Sequence, residues 1–173
     1  MENPDLGIFY SDSNQIIYKQ IFNVSEASEL NEKYLKSNLW SDGAKVIATG
    51  IRPFFDVNLE KEDIISERLQ VVLRDYFPDL LLDRYARFYN HQLGEVKPHK
   101  DKCHDGVSNY TILIYLTDDF DDGKLHIKNK KTKYVINPKK GHGIIFNKDL
   151  LHWAGPVYEG TKNFLLIHAK SAF

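Results

Sequence analysis

The sequence predicts an α+β chain, mainly β: an antiparallel sandwich or barrel with N-terminal helices packed on one face. Three observations predict it. Helical patterning is confined to the first 79 residues. From residue 80 onward the chain breaks into short runs rich in β-branched and aromatic residues, punctuated by Asp, Gly, Asn and Pro. The 173 residues contain no repeat and no low-complexity linker, so one domain is expected over 1–173, with helical support at 1–79 and a β core at 80–173.

The elements follow in order. "QIIYKQIF" (15–22) reads as a strand. "NVSEASELNEKYLKS" (23–37) reads as a helix, because Asn23 and Glu26 form an N-x-x-E start resembling a capping box. Residues 38–60 have turn residues at both ends and little period, which predicts a mobile loop around one or two short strands. "DIISERLQVVLRDYF" (63–77) has an apolar stripe at 64, 65, 69, 72, 73 and 77, as a core-packing helix does. Six strands are then expected at 80–90, 109–118, 124–130, 132–138, 142–147 and 162–170. Lys128, Lys130, Lys131, Lys133, Lys139 and Lys140 surround one hairpin, where they fit a solvated turn and a protected sheet edge.

Composition narrows the function classes. The formal net charge is −1, so no overall basic field draws the chain to nucleic acid. With one cysteine no internal disulfide forms, and a reducing compartment is the default. The start "MENPDLGIFY" is acidic and lacks the apolar run of a signal peptide. No apolar run approaches a membrane span. A cytoplasmic setting without membrane contact is expected; oligomeric state is not legible.

Chemistry concentrates in "VKPHKDKCHD" (96–105). His99 and Asp101 stand two apart, so on an extended segment an imidazole and a carboxylate point the same way. His152, in "NKDLLHWAGPV" between two later strands, is a candidate third ligand. Two nitrogens and one oxygen on one face of an octahedron suit a non-haem Fe(II) oxygenase. Taken alone, an H-x-D triplet also arises by chance or as a loop cap. Lys162, ten residues after His152 at a strand start, would put a positive charge inside the barrel if that strand returns beside the metal. Cys103 and His104 lack zinc-type partners and read as loop residues. His91, His126 and His142 have no partner pattern.

The segment Tyr85–Lys170 resembles the catalytic core of the 2-oxoglutarate- and Fe(II)-dependent dioxygenases, most closely the prolyl 4-hydroxylase-like group. "YNHQLGEVKPHKD" is similar to that group's tyrosine, glycine and H-x-D segment. "YTILIYLTDDFDDGKLHI" resembles its paired strands, "INPKKGHGIIFN" its proline–glycine turn, and "LHWAGPVYEGTKNFLLI" its histidine-to-basic-residue ending. About half the chain is covered. The resemblance implies a double-stranded β-helix, also described as jelly roll or cupin-like.

It further implies roles. His99, Asp101 and His152 fall on the iron ligands, and Lys162 on the residue that pairs with the distal carboxylate of 2-oxoglutarate. Tyr115 is similar to a tyrosine that hydrogen-bonds the same carboxylate. Thr111 and Leu113 share its strand face and would line the cosubstrate pocket, and Tyr89 resembles a second cosubstrate-contacting tyrosine. Fe(II), 2-oxoglutarate and O2, with ascorbate as an accessory reductant, are the implied cofactors. The implied reaction couples C–H hydroxylation to release of succinate and CO2. Asp101, where related halogenases have a small residue, implies hydroxylation.

Departures weaken transfer of the substrate. Ser108 replaces an arginine of many relatives, Asp122 a glycine and Leu125 a threonine. His168 stands where several relatives have a substrate-facing tryptophan. A prolyl residue in a protein or peptide is the substrate the resemblance favours, with Trp40, Arg52, Phe54 and Phe55 in the 38–60 loop as plausible contacts. Another amino-acid side chain, a free amino acid or a small molecule is the alternative. Nucleic-acid demethylation would require paired arginines on the last strand, and the chain has no arginine after Arg87. A non-catalytic cupin-like metal binder would have lost a ligand or the lysine.

Overall fold

Asn23 starts a helix in the manner its side chain predicts. Its Oδ1 accepts from the Glu26 N–H at 2.7 Å, and the Glu26 carboxylate accepts from the Asn23 N–H at 3.1 Å. Helix α1 runs Val24–Leu35 and α2 runs Asp63–Leu73. The computed structural model describes residues 7–11, 14–37, 50–74, 76, 80–102, 108–130 and 132–171. Trp40, Lys131, Cys103, His104 and residues 38–49 of the predicted loop lie outside them.

Twelve strands accompany the helices among the described residues: β1 (Gly7–Ser11), β2 (Asn14–Gln20), β3 (Phe54–Asn58), β4 (Leu80–Leu82), β5 (Tyr85–His91), β6 (Gly94–His99), β7 (Tyr110–Tyr115), β8 (Leu125–Asn129), β9 (Thr132–Ile136), β10 (His142–Asn147), β11 (Leu151–Val157) and β12 (Lys162–Ser171). The larger sheet has the order β1-β2-β10-β7-β12-β5-β3, with β4 also on β12. The smaller sheet has the order β6-β11-β8-β9. All pairings are antiparallel. This is the double-stranded β-helix that the sequence resemblance implies.

Alternation along the strands of the larger sheet builds two cores. Ile112, Ile114, Leu165 and Ile167 face outward and pack with Leu30, Tyr34, Ile65 and Leu69 of the two helices. Tyr115 and Phe164 face inward, toward Leu125 and Ile127 of the smaller sheet. The helices therefore cover the outer face of the larger sheet, and the inner faces of both sheets enclose a pocket. Each fully buried Leu or Ile at the helix interface contributes about 1.5–3 kcal/mol from burial.

Several boundaries differ from expectation. The 80–90 strand divides into β4 and β5. Helix α2 stops at Leu73, although the apolar stripe continues to Phe77. The 38–60 segment, by contrast, holds a short strand as expected: β3, which pairs with β5 from Phe54↔Tyr89 to Asn58↔Tyr85. His152 lies within β11 rather than between strands. Pro156 and Gly155 obscured that strand; both fall past its pairing with β8, which ends at Ala154↔Leu125. The lysine-rich hairpin is β8–β9, with β9 at the edge of the smaller sheet. Among the described residues no helix is long and apolar enough to cross a membrane.

Candidate active site

The pocket between the sheets draws residues from both. The larger sheet supplies Tyr89 from β5, Thr111, Leu113 and Tyr115 from β7, and Lys162, Phe164 and Leu166 from β12. The smaller sheet supplies His99 from β6, Leu125 from β8, and His152 and Trp153 from β11. Asp101 and Arg52 complete the lining. The eight residues singled out by sequence thus line one cavity. His168 shares the β12 face of Lys162, Phe164 and Leu166 but is not among the lining residues.

Strand pairing brings the triad together. His152 sits directly opposite His99 on neighbouring strands. Asp101, just past β6, is held by its backbone N–H to the Lys148 carbonyl at 3.0 Å. Asp101 Oδ1 lies 3.1 Å from His99 Nε2 and 3.2 Å from His152 Nε2. The other ring nitrogens are occupied. His99 Nδ1 donates to the Lys97 carbonyl at 2.7 Å and His152 Nδ1 to the Leu150 carbonyl at 2.8 Å. Those bonds leave both neutral imidazoles with a lone pair at Nε2. Three such atoms within 4.8 Å of one another need positive charge between them, either protons on the Nε2 atoms that bond the carboxylate or one metal ion that replaces those protons. The donor set of two imidazole nitrogens and one carboxylate oxygen fits Fe(II).

Electrostatics agree with that reading. Burial alone would raise the Asp101 pKa, but the bonds from His152, His99 and Thr111 hold it well below the usual carboxylate range. Burial alone would lower the His99 pKa, and the Asp101 carboxylate and Lys97 carbonyl more than offset it. The second carboxylate oxygen is also committed, since Thr111 Oγ1 donates to Asp101 Oδ2 at 2.6 Å.

Lys162 is the unusual charge. It is 3% exposed, and its ammonium donates to the Gly123 carbonyl at 3.2 Å. Burial, with repulsion from Arg52 adding to it and attraction from Asp122 opposing it, pushes its pKa down to about 7. A buried cation in a pocket lined with aromatic rings is a receptor for an anion. The turn that supplies the Gly123 carbonyl tolerates its departure from the glycine pattern. Asp122 adopts φ 61, a left-handed conformation to which Asp is among the better-suited non-glycine residues.

The family model described as the 2OG-Fe(II) oxygenase superfamily matches residues 84–168. The chain belongs to the 2OG-Fe(II) oxygenase superfamily. As an oxygenase of this superfamily it uses Fe(II) and 2-oxoglutarate. Solved structures agree on the fold. A 2OG-Fe(II) oxygenase family oxidoreductase from Burkholderia pseudomallei shares 14% identity at a TM-score of 0.74, covering 90% of this chain and 85% of that one. A viral collagen prolyl hydroxylase of Paramecium bursaria Chlorella virus-1, in complex with 2-oxoglutarate, shares 20% at 0.66, covering 92% and 96%. A prolyl hydroxylase of Trichoplax adhaerens, in complex with a hypoxia-inducible factor peptide fragment, shares 14% at 0.72, covering 93% and 84%. Comparison with curated proteins gives no match.

Two features of this oxygenase's pocket were not legible in the sequence. The Thr111–Asp101 bond joins residues ten apart whose approach depends on the sheet register. Arg52, read as a plausible substrate contact in the 38–60 loop, lines the pocket; its seat over the Tyr89 ring, 3.9 Å from the centroid, is what the sequence did not give.

Proposed function

We propose that this oxygenase hydroxylates a C–H bond of a prolyl residue in a protein or peptide. The observation that carries the reading is the convergence of His99, Asp101 and His152 on one point of a pocket that also buries Lys162. In this reading the triad holds iron through His99 Nε2, Asp101 Oδ1 and His152 Nε2. Lys162 holds the distal carboxylate of 2-oxoglutarate as a point charge. Tyr115, Leu113, Thr111 and Tyr89 line the cosubstrate's berth. Iron with 2-oxoglutarate and O2 supplies the oxidising power, with release of succinate and CO2. The protein's own residues orient the reactants and exclude water, which the aromatic walls of Tyr89, Phe164 and Trp153 favour. The prolyl substrate is supported by two neighbours in fold that are themselves prolyl hydroxylases.

The test uses anaerobically purified protein supplied with Fe(II), 2-oxoglutarate, O2 and proline-containing peptides. Succinate formation and gain of one oxygen on a prolyl residue are expected. Oxygen appearing solely on other residues would reject prolyl specificity and favour the alternative, hydroxylation of another side chain, a free amino acid or a small molecule.

A further inference from the structure

The pocket's charges do not balance. Among the described residues, the charged ones that line it are Arg52, Asp101 and Lys162, two positive and one negative, the imidazoles being neutral as ligands. Fe(II) and doubly ionised 2-oxoglutarate add charges that cancel. One positive charge remains over. In the arrangement proposed above, Asp101 faces iron and Lys162 faces the distal carboxylate of the cosubstrate. The charge left without a counterpart is Arg52.

The structure around Arg52 is built to hold that charge rather than to neutralise it. The guanidinium lies 3.9 Å from the Tyr89 ring centroid and 5.7 Å from that of Phe164. Tyr89 and Phe164 stack on each other at 5.1 Å with 24° between their planes. Rings stacked on the guanidinium face leave its N–H edge free for a planar acceptor. Its Nε is buried and has no hydrogen-bond partner among the described residues. Arg87 differs, donating to Asp56 at 3.0 Å while lying over Phe54. Asp122, outside the lining, acts on Lys162. Burial pushes the Arg52 pKa down against the attraction of Tyr89 and Asp101. A partly buried arginine whose Nε is shut away from water without a partner is costly unless an anion arrives.

We infer that Arg52 is the anion-binding residue for the oxidised substrate, and that this substrate carries a carboxylate near the carbon that is hydroxylated. The inference rests on the oxygenase reading above and narrows its substrate class. For a prolyl substrate the carboxylate is the α-carboxylate of free or C-terminal proline, or an acidic side chain beside an internal one. Planar bidentate pairing with the guanidinium is the common chemistry.

The test is an anaerobic titration of enzyme carrying Fe(II) and saturating 2-oxoglutarate, followed through the visible metal-to-ligand absorbance. The probes are acid–amide pairs: L-proline and prolinamide, N-acetyl-L-proline and its amide, and a peptide with Asp-Pro against the same peptide with Asn-Pro. At least one acid is expected to perturb the band at about 10- to 100-fold lower concentration than its amide, as loss of a charge-assisted hydrogen bond implies. The responding pair identifies the source of the carboxylate. Arg52→Gln is expected to abolish the difference while the Fe(II)–2-oxoglutarate band persists, and Arg52→Lys to restore part of it. Circular dichroism of both variants checks folding. The inference is overturned if every acid acts no better than its amide, which includes no response from any probe. It is also overturned if Arg52→Gln weakens 2-oxoglutarate itself by about tenfold or more, which would assign Arg52 to the cosubstrate. Absence of the band in the wild type, before any probe is added, would instead overturn the oxygenase reading.

Discussion

Thr111 Oγ1 donates a 2.6 Å hydrogen bond to Oδ2 of Asp101, the carboxylate oxygen that faces neither imidazole. The bond fixes the carboxylate plane, so that Oδ1 alone is presented beside His99 and His152. Thr111→Val keeps the side-chain shape and removes the donor. It is expected to weaken Fe(II) binding about 10- to 100-fold, the range for loss of a partner that orients a metal ligand. Anaerobic Fe(II) titration measures this, with the thermal midpoint checking that the fold persists.

Removing a ligand outright is expected to act differently. Asp101→Ala leaves two imidazoles at the same point without the only carboxylate among the described lining residues. Stoichiometric iron binding should be lost, and 2-oxoglutarate should no longer produce a visible band on addition of Fe(II).

Lys162→Ala is expected to retain iron and to raise the 2-oxoglutarate requirement by tenfold or more, on the order of 1.5–3 kcal/mol for a charge-assisted pair. A matching loss of iron would make the lysine structural.

The same lysine makes stability depend on pH. Its pKa falls from 10.5 unfolded to about 7 folded, so the unfolded chain holds more protons between those values and stability without ligand rises with pH. Below pH 7 the full penalty applies, up to about 5 kcal/mol. It fades between pH 7 and 10.5. Lys162→Met should therefore stabilise the ligand-free protein at pH 6–7 and much less near pH 10, as urea unfolding would show. Binding of 2-oxoglutarate above pH 7 should take up a proton, visible as a buffer-dependent calorimetric enthalpy that Lys162→Met abolishes.

Leu69, 0% exposed in α2, packs with the outer face of the larger sheet. Leu69→Ala is expected to cost about 2–5 kcal/mol. Denaturant unfolding measures that loss, and the Fe(II) affinity of the remaining folded protein should be unchanged.

What the sequence made legible follows from the range of the interactions. The Asn23–Glu26 capping box is local, and its residues announce it. The His99–Asp101 spacing is local too, and His152 and Lys162 became readable through their joint offsets. Strands β6 and β11 were hidden because Pro98 and Pro156 interrupt them, although neighbouring strands still supply pairing at other positions. Arg52 was named as a plausible contact, but its stacking on Tyr89 and the Thr111–Asp101 bond depend on how distant segments meet, which no spacing along the chain records. Asp122 looked like a loss of the glycine pattern, yet its backbone at φ 61 retains the turn.

The alternation of β12 separates two kinds of heritable change. Lys162, Phe164 and Leu166 meet the pocket, whereas Leu165 and Ile167 meet the helix-facing core. Substitution at the even positions retunes what the cavity accepts, and substitution at the odd positions alters how firmly the sheet is held. One strand can thus accumulate new specificity and compensating stability at interleaved sites, with little cross-talk between them.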